Sequence, residues 1–90
     1  MQEKSTVVIN ATGLHARPAS EFVVAAKKFE SKLTITRDGD ERKVNAKSIV
    51  SLLSLGIAKG VKVTISADGA DEREAVNSLT ALIDSGFGEE

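Results

Sequence analysis

The segment Gly13-Leu14-His15-Ala16-Arg17-Pro18-Ala19-Ser20 contains the only histidine and the only proline of the chain. A proline is tolerated in the first turn of a helix, where its missing N–H costs nothing. We therefore expect a loop to pass into a helix that begins at His15 or Ala16. From there apolar residues recur with helical spacing and predict one buried stripe: Ala19, Phe22, Val23, Ala26 and Phe29.

Four strands are indicated by β-branched and alternating apolar residues, at 6–10, 32–37, 42–46 and 61–67. Asp38-Gly39, between the second and third strands, is typical of a tight hairpin turn because glycine accepts the positive φ that such a turn needs. The third strand is polar, which favours an edge position in the sheet.

Two further helices are predicted from capping residues and apolar stripes. Ser48 is the expected N-cap of a short helix over 49–55. Asp71 with Glu74 resembles a capping box at the start of a longer helix. The stripe of that longer helix consists of Ala75, Val76, Leu79, Leu82 and Ile83, and it ends at Gly86.

The element order is therefore β-α-β-β-α-β-α, which is an α+β fold of the split β-α-β type. Strong alternation in two of the strands implies a mainly antiparallel sheet with helices on one face and water on the other. Ninety residues suffice for one small core, so we expect residues 1–90 to form a single domain.

Composition argues against several classes of function. The net charge is −1 and the only aromatic residues are three Phe, so neither nucleic acid nor an anionic membrane is an expected partner. The absence of cysteine and the single histidine argue against a zinc site, and we expect no metal and no cofactor. The sequence shows no signal-peptide core and no apolar run near the roughly 20 residues that span a bilayer. We therefore expect a cytoplasmic protein.

His15 is the first candidate for chemistry. Histidine is the one unperturbed side chain that is a neutral nucleophile near pH 7, and the positive end of a helix dipole disfavours its charged form. Backbone N–H groups at the helix start, from Ala16 and Arg17, are suited to a phosphate. The Arg17 side chain adds charge-assisted hydrogen bonds, and Gly13 lets the loop backbone come close. These residues predict a histidine that carries a phosphoryl group; the alternative is an ordinary surface or capping histidine.

Two surfaces are candidates for docking a partner. On the first helix Ser20, Val24 and Lys27 lie on the side away from the buried stripe, which is either a docking surface or a solvated face. The short helix after Ser48 is apolar almost all round, so one of its two apolar arcs is expected to remain exposed. The sequence leaves open which arc this is: Ile49, Val50 and Leu53, or Leu52 and Leu55.

Two motifs resemble the histidine-containing phosphocarrier (HPr) family of the bacterial phosphoenolpyruvate:sugar phosphotransferase system. The first motif covers residues 13–19. The second begins at Lys47-Ser48-Ile49-Val50 and continues to Leu52, Leu55 and Gly56. The likeness extends over essentially all 90 residues. It implies an open-faced β-sandwich in which a four-stranded antiparallel sheet lies under three helices.

The resemblance implies a carrier protein and not an enzyme with turnover of its own. Nδ1 of His15 would accept a phosphoryl group from a phosphohistidine of enzyme I, which phosphoenolpyruvate charges. His15 would then pass the group to a histidine of a sugar-specific enzyme IIA, with Arg17 stabilising the phosphate. The protein would act as a monomer. Of the two arcs of the short helix, the resemblance points to the one with Ile49, Val50 and Leu53 as exposed and partner-facing.

Ser48 matches the regulatory serine of the family. In many low-GC Gram-positive bacteria an ATP-dependent HPr kinase/phosphorylase modifies this serine, and the modified form assists a catabolite-control transcription regulator. The resemblance therefore implies these two proteins as further partners wherever the kinase is present. We expect a phosphate on Ser48 to change docking and not to unfold the domain, because a helix N-terminus tolerates negative charge.

Three alternatives remain open at this point. A purely regulatory binding protein would act through Ser48 and the exposed arc of the short helix, as family relatives without the histidine do. A nitrogen-branch phosphocarrier would use the same histidine chemistry with no sugar as its end point. A true enzyme would use His15 as a general base, but this requires an orienting carboxylate and a pocket, and no Asp or Glu lies near the loop in sequence.

Overall fold

A central strand, Lys62–Asp68, organises the sheet because it pairs with a neighbour on each side. The structure is a computed structural model and describes residues 1–88. Over this range the strands are β1 (Gln2–Val7), β2 (Lys32–Arg37), β3 (Val44–Asn45) and β4 (Lys62–Asp68). The helices are α1 (Ala16–Ala26), α2 (Ile49–Leu53) and α3 (Glu72–Asp84), followed by a 3₁₀ turn at Gly86–Gly88.

The sheet has the strand order β1-β4-β2-β3, and every pair is antiparallel. Residues directly opposite one another share a face, and Ile65 of β4 lies opposite both Lys4 and Ile35. On this face the inner strands bury apolar side chains, whereas the other face carries partly exposed polar residues such as Thr34 and Thr64. The predicted α+β fold, an open antiparallel sheet with three helices, is confirmed.

Both predicted helical stripes form the core above the sheet. Buried side chains from α1 and α3 include Ala19, Phe22, Val23, Ala26, Ala75, Val76, Leu79 and Ile83. Phe29 follows the end of α1, and it is only partly buried, as is Leu82 of α3. Burying one side chain of leucine or phenylalanine size contributes roughly 1.5–3 kcal/mol. The two stripes are therefore a principal source of stability.

The first strand lies earlier in the chain than predicted. Pairing with β4 begins at Gln2 and ends at Val7, whereas the sequence predicts 6–10. The N–H of Val8 still donates to Val61 O at 3.0 Å before the chain leaves the sheet. The prediction of these bounds was wrong because β1 is an edge strand, and the charged and polar residues that suit an edge hide its alternation.

The return strand of the hairpin is shorter than predicted. Only Val44–Asn45 pairs with β2, although the sequence predicts a strand over 42–46. Just before this strand, Arg42 binds Asp40, with Nη2 2.9 Å from Oδ2, and also donates to Ser54 O at 3.3 Å. The hydrogen bond from Arg42 lowers the pKa of Asp40 to about 2. An ion pair and a bond to the end of α2 thus replace the expected strand pairing.

Ser48 caps α2 as predicted. Its Oγ accepts a hydrogen bond from the N–H of Ser51 at 3.3 Å, which satisfies one of the donors that a helix start leaves over. The helix ends at Leu53 and not at residue 55, and Gly56 follows with a φ of +60°.

The predicted capping box of Asp71 and Glu74 is wrong, although Asp71 is the N-cap residue of α3. Its carboxylate makes no capping bond. It accepts instead from the N–H of Glu30 at 2.8 Å, from the N–H of Ser31 at 3.0 Å and from the Ser31 hydroxyl. The bond from the Ser31 hydroxyl is the main reason that the pKa of Asp71 is lowered. The start of α3 is therefore tied to the turn before β2.

Replacing Asp71 by Asn should lower the free energy of unfolding at neutral pH, because the amide loses the charge-assisted bonds. The fold lowers the pKa of Asp71 below its ordinary 3.8, so this stabilisation is present above that value. It is lost as the pH falls through the lower folded value. Urea unfolding of both proteins at a series of pH values should show the difference shrinking in acid.

The matched control for this prediction is Glu41→Gln in the exposed loop after β2. We expect it to change the free energy of unfolding by no more than about 0.5 kcal/mol. A loss in Asp71→Asn that stays constant into strong acid would contradict the assigned carboxylate bonds.

Candidate functional site

His15 lies at the opening of α1. It is the N-cap residue, with φ −128° and ψ 163°, it is exposed, and its side chain makes no capping hydrogen bond. The alternative in which this histidine caps the helix is therefore contradicted. An imidazole that is exposed and not used for capping is available for chemistry at the surface.

The opening of α1 offers a short row of backbone donors. Ala19 is the first residue to donate back along the helix, to His15 O at 3.4 Å, and Pro18 has no N–H. The N–H groups of Ala16 and Arg17 therefore lie ahead of the hydrogen bonds of the helix itself. Together with the positive end of the helix dipole, this arrangement favours an anion beside His15.

Ala16 has a backbone conformation that the sequence did not indicate. Its φ is +48°, in the left-handed region that favours glycine. For an L-residue this conformation costs roughly 1–2 kcal/mol, so the surrounding structure has to maintain it. Residues of this kind cluster at functional sites. The alanine at this position does not indicate a left-handed conformation, because alanine has the highest propensity for ordinary right-handed helix.

Close backbone packing positions the loop before the histidine. The N–H of Leu14 donates to Ile57 O at 2.9 Å. Gly13 has a φ of +67°, and a Cβ at this position would lie 2.4 Å from Ile57 O and 2.7 Å from Ala58 Cα. The close approach expected at Gly13 is therefore made to the protein's own backbone at residues 57–58.

Among the residues that the structure describes, the Arg17 guanidinium bonds to Glu21 and Phe87, and neither contact is predicted from the sequence. Nη1 lies 2.8 Å from each carboxylate oxygen of Glu21, and Nη2 donates to Phe87 O at 3.2 Å. The i,i+4 spacing of a helical ion pair could have indicated Glu21. The bond to Phe87 spans 70 residues of sequence, and a contact of this separation leaves no trace in a local pattern.

The structure exposes the arc of α2 that the family resemblance pointed to. Ile49, Val50 and Leu53 are 38%, 75% and 41% exposed, whereas Leu52 and Leu55 are buried. Neighbouring exposed apolar side chains are a common mark of an interaction surface. Their role in binding partners stays a prediction.

The docking residues predicted on α1 are also exposed. Val24 is 56% exposed, and Ser20 and Lys27 are exposed as well. Ser20 and Val24 line a groove of about 350 Å³ between α1 and Leu82 of α3. Because α1 also packs against α2, the two candidate docking surfaces lie on neighbouring helices.

Among residues 1–88, no three His, Cys, Asp or Glu side chains are grouped so that they could hold a metal ion. Within the same range no helix combines the length and the apolar character needed to cross a membrane. The residues around His15 can supply a nucleophilic imidazole and polarised donors for an anion.

Comparison with known proteins finds relatives along the whole chain. The family described as "PTS HPr component phosphorylation site" matches residues 2–85. Phosphocarrier protein HPr of Neisseria meningitidis is 43% identical over 89 residues, covering 99% of this chain and 98% of the relative. The crystal structure of HPr-C-His from Thermoanaerobacter tengcongensis has a TM-score of 0.95 at 50% identity, covering 100% of this chain and 99% of that one. The catabolite repression protein Crh of Bacillus subtilis, a dimer with a swapping domain, is 44% identical with a TM-score of 0.73, covering 96% and 95%.

The exposed histidine lies at a helix opening on an open antiparallel sheet with three helices, and this fold is shared with the HPr structure above. The chain belongs to the HPr family of phosphocarriers of the phosphotransferase system. The family expected from the two sequence motifs is thus confirmed. Membership is consistent with a carrier that has no catalytic turnover of its own.

Gly13→Ala should destabilise the protein more than Gly39→Ala. Both glycines have a positive φ, +67° and +87°, so each substitution costs about 1–2 kcal/mol in backbone strain. Nothing lies within 4 Å of a Cβ added at Gly39, whereas at Gly13 the backbone of residues 57–58 must move, which adds roughly 1–3 kcal/mol. Urea unfolding measures both losses, and equal losses would contradict the close packing assigned to Gly13.

Proposed function

We propose that Nδ1 of His15 accepts a phosphoryl group from a phosphohistidine of enzyme I and passes it to a histidine of a sugar-specific enzyme IIA. The observation that carries this proposal is the exposed His15 at the N-cap of α1, with a side chain that makes no capping bond. Membership of the HPr family supports the pathway. A nitrogen-branch system would use the same chemistry with a different final acceptor.

The transfer requires a neutral imidazole with its proton on Nε2. The lone pair of Nδ1 attacks phosphorus, the bond between phosphorus and the donor nitrogen breaks, and that electron pair remains on the donor imidazole. The phosphoryl group moves with its three oxygens, and no proton has to leave His15. Transfer to enzyme IIA repeats these events with His15 as the leaving group.

Groups at the opening of α1 would stabilise the transferred phosphoryl group. It brings about two negative charges near neutral pH. The N–H groups of Ala16 and Arg17 and the helix dipole favour such an anion, and the Arg17 guanidinium adds charge-assisted hydrogen bonds. Because the resting imidazole is uncharged, these interactions strengthen when the phosphoryl group arrives, and they therefore favour its acceptance.

Both partners would dock on the same face, because both have to reach His15. On α2 this face consists of Ile49, Val50 and Leu53, and on α1 it consists of Ser20, Val24 and Lys27. Exposed apolar side chains next to polar ones are suited to a transient protein contact. We propose that the protein meets its partners as a monomer, since this leaves the whole face uncovered.

Incubation with phosphoenolpyruvate and enzyme I should give an acid-labile phosphoryl adduct that His15→Ala does not form. Intact-mass measurement at neutral pH, before and after acid treatment, detects it. An adduct that persists in His15→Ala would refute the proposal.

Arg17→Ala should stay folded and transfer at a rate reduced about ten-fold or more, since a hydrogen bond to a charged group contributes about 1.5–3 kcal/mol. Arg73→Ala, at the end of α3 away from Phe87, is the matched control.

We further propose that Ser48 is a regulatory phosphorylation site, modified by HPr kinase/phosphorylase, and that the modified form binds a catabolite-control transcription regulator. Ser48 adjoins the exposed Ile49 and Val50, so a phosphate there would add charge to the docking face. Similarity to the catabolite repression protein Crh also supports this proposal. A purely regulatory protein would act through Ser48 and the exposed arc of α2 without need of His15, and the exposed His15 favours a carrier that is also regulated.

Ser48→Asp and Ser48→Ala separate the charge at this position from the helix cap. Asp keeps an acceptor at the N-cap, so Ser48→Asp should match the wild type in urea unfolding, whereas Ser48→Ala should lose about 1 kcal/mol. Phosphorylation of His15 by enzyme I, followed by rapid quench, should be slower in the Asp variant and normal in the Ala variant. Slow transfer in the Ala variant alone would mean that the cap matters and the charge does not.

A further inference from the structure

The ion pair between Arg17 and Glu21 occupies a side chain that the phosphoryl group needs. Nη1 of Arg17 lies 2.8 Å from both Glu21 carboxylate oxygens, and Nη2 donates to Phe87 O. We propose that Glu21 is a positioning residue, which holds the Arg17 guanidinium in the unphosphorylated chain and releases it when His15 is phosphorylated. This inference rests on the proposed function, because it requires a phosphoryl group on His15.

The two states of the site compete for the same donors. The planar guanidinium binds a pair of oxygens through neighbouring N–H groups. A bidentate bond to the phosphoryl group through both terminal nitrogens therefore competes with the bonds to Glu21 and to Phe87 O for the same two nitrogens. Phosphorylation in this respect shifts donors of Arg17 from the Glu21 carboxylate toward the phosphoryl oxygens.

The exposure of the ion pair determines how strongly Glu21 competes with the phosphoryl group for Arg17. The side chains of Arg17 and Glu21 are 56% and 42% exposed, and exposed ion pairs are weak and screened by salt. A phosphoryl group with about two charges competes well against a single carboxylate charge. Glu21 therefore does not prevent phosphorylation. It lowers the affinity of the site for the phosphoryl group, which makes the group easier to pass on.

A competition for phosphoryl groups tests this role. Unlabelled Glu21→Gln and ¹⁵N-labelled wild type are mixed with limiting phosphoenolpyruvate and a trace of enzyme I until exchange is complete, and intact-mass spectrometry gives the phosphorylated fraction of each chain. At low salt we expect the phosphorylated-to-free ratio of the variant to exceed that of the wild type about two- to five-fold. This factor is the usual free energy of an exposed ion pair expressed as an equilibrium constant. The excess should fall at high salt.

Two comparisons isolate the contact with Arg17. Glu74→Gln makes the same change of charge in the first turn of α3, at the opposite end of that helix from Phe87, and should give a ratio of one. Removing a negative charge near His15 would also favour phosphorylation directly, so the competition is repeated with Arg17→Ala in both chains. In the Arg17→Ala background, Glu21→Gln should no longer change the ratio of the two phosphorylated fractions.

The possible failures are distinguishable. An equal excess with and without Arg17, or a ratio of one in the original background, overturns the positioning role of Glu21 while leaving the carrier function intact. If neither chain acquires a phosphoryl group at His15, it is the proposed function that fails. Thermal unfolding of each variant verifies that the compared proteins are folded.

Discussion

The backbone at Gly13 and Leu14 lies directly against the backbone at Ile57 and Ala58. A hydrogen bond of 2.9 Å ties the loop between β1 and α1 to the segment between α2 and β4. The approach is possible because residue 13 has no Cβ, which would collide with the facing carbonyl. This contact determines where α1 begins, and therefore where His15 and the amides after it lie. The geometry of the candidate site therefore depends on this contact.

The site is assembled from segments that are distant in sequence and weakly bonded at the surface. The helix opening supplies His15 and its neighbouring amides, the 57–58 backbone positions them, and the 3₁₀ turn provides a carbonyl for Arg17. Ala16, with its φ of +48°, lies between the buried Leu14 and the buried Ala19. Anchors on both sides explain how a strained residue is maintained there. The affinity of this exposed site for an anion would come from several N–H donors that point to one place, and not from burial.

Sequence periodicity reported what is regular and buried. It predicted the element order, the stripes of α1 and α3 and the cap at Ser48, because each depends on residues a few positions apart. It missed the bounds of β1 and the extent of β3, since edge strands carry polar residues. It does not reveal the partners of Asp71 and Arg17, because most of them are distant in sequence and the i,i+4 ion pair with Glu21 adds nothing to an apolar periodicity. The candidate histidine was accessible to sequence reasoning because Gly, His, Arg and Pro each have a distinct chemical reason to occupy one short motif; its role in phosphoryl transfer stays a prediction.

The strand order β1-β4-β2-β3 also has a consequence for synthesis on the ribosome. The strand β4, which lies between β1 and β2 in the sheet, is the last of the four to be translated. The nascent chain therefore cannot complete its sheet until residue 68 has left the exit tunnel. Such late, non-local pairing is slow and leaves edges open meanwhile. The carbonyl of Phe87 emerges later still. Truncated or unfinished polypeptides therefore contain His15 without the scaffold that positions it in the complete fold.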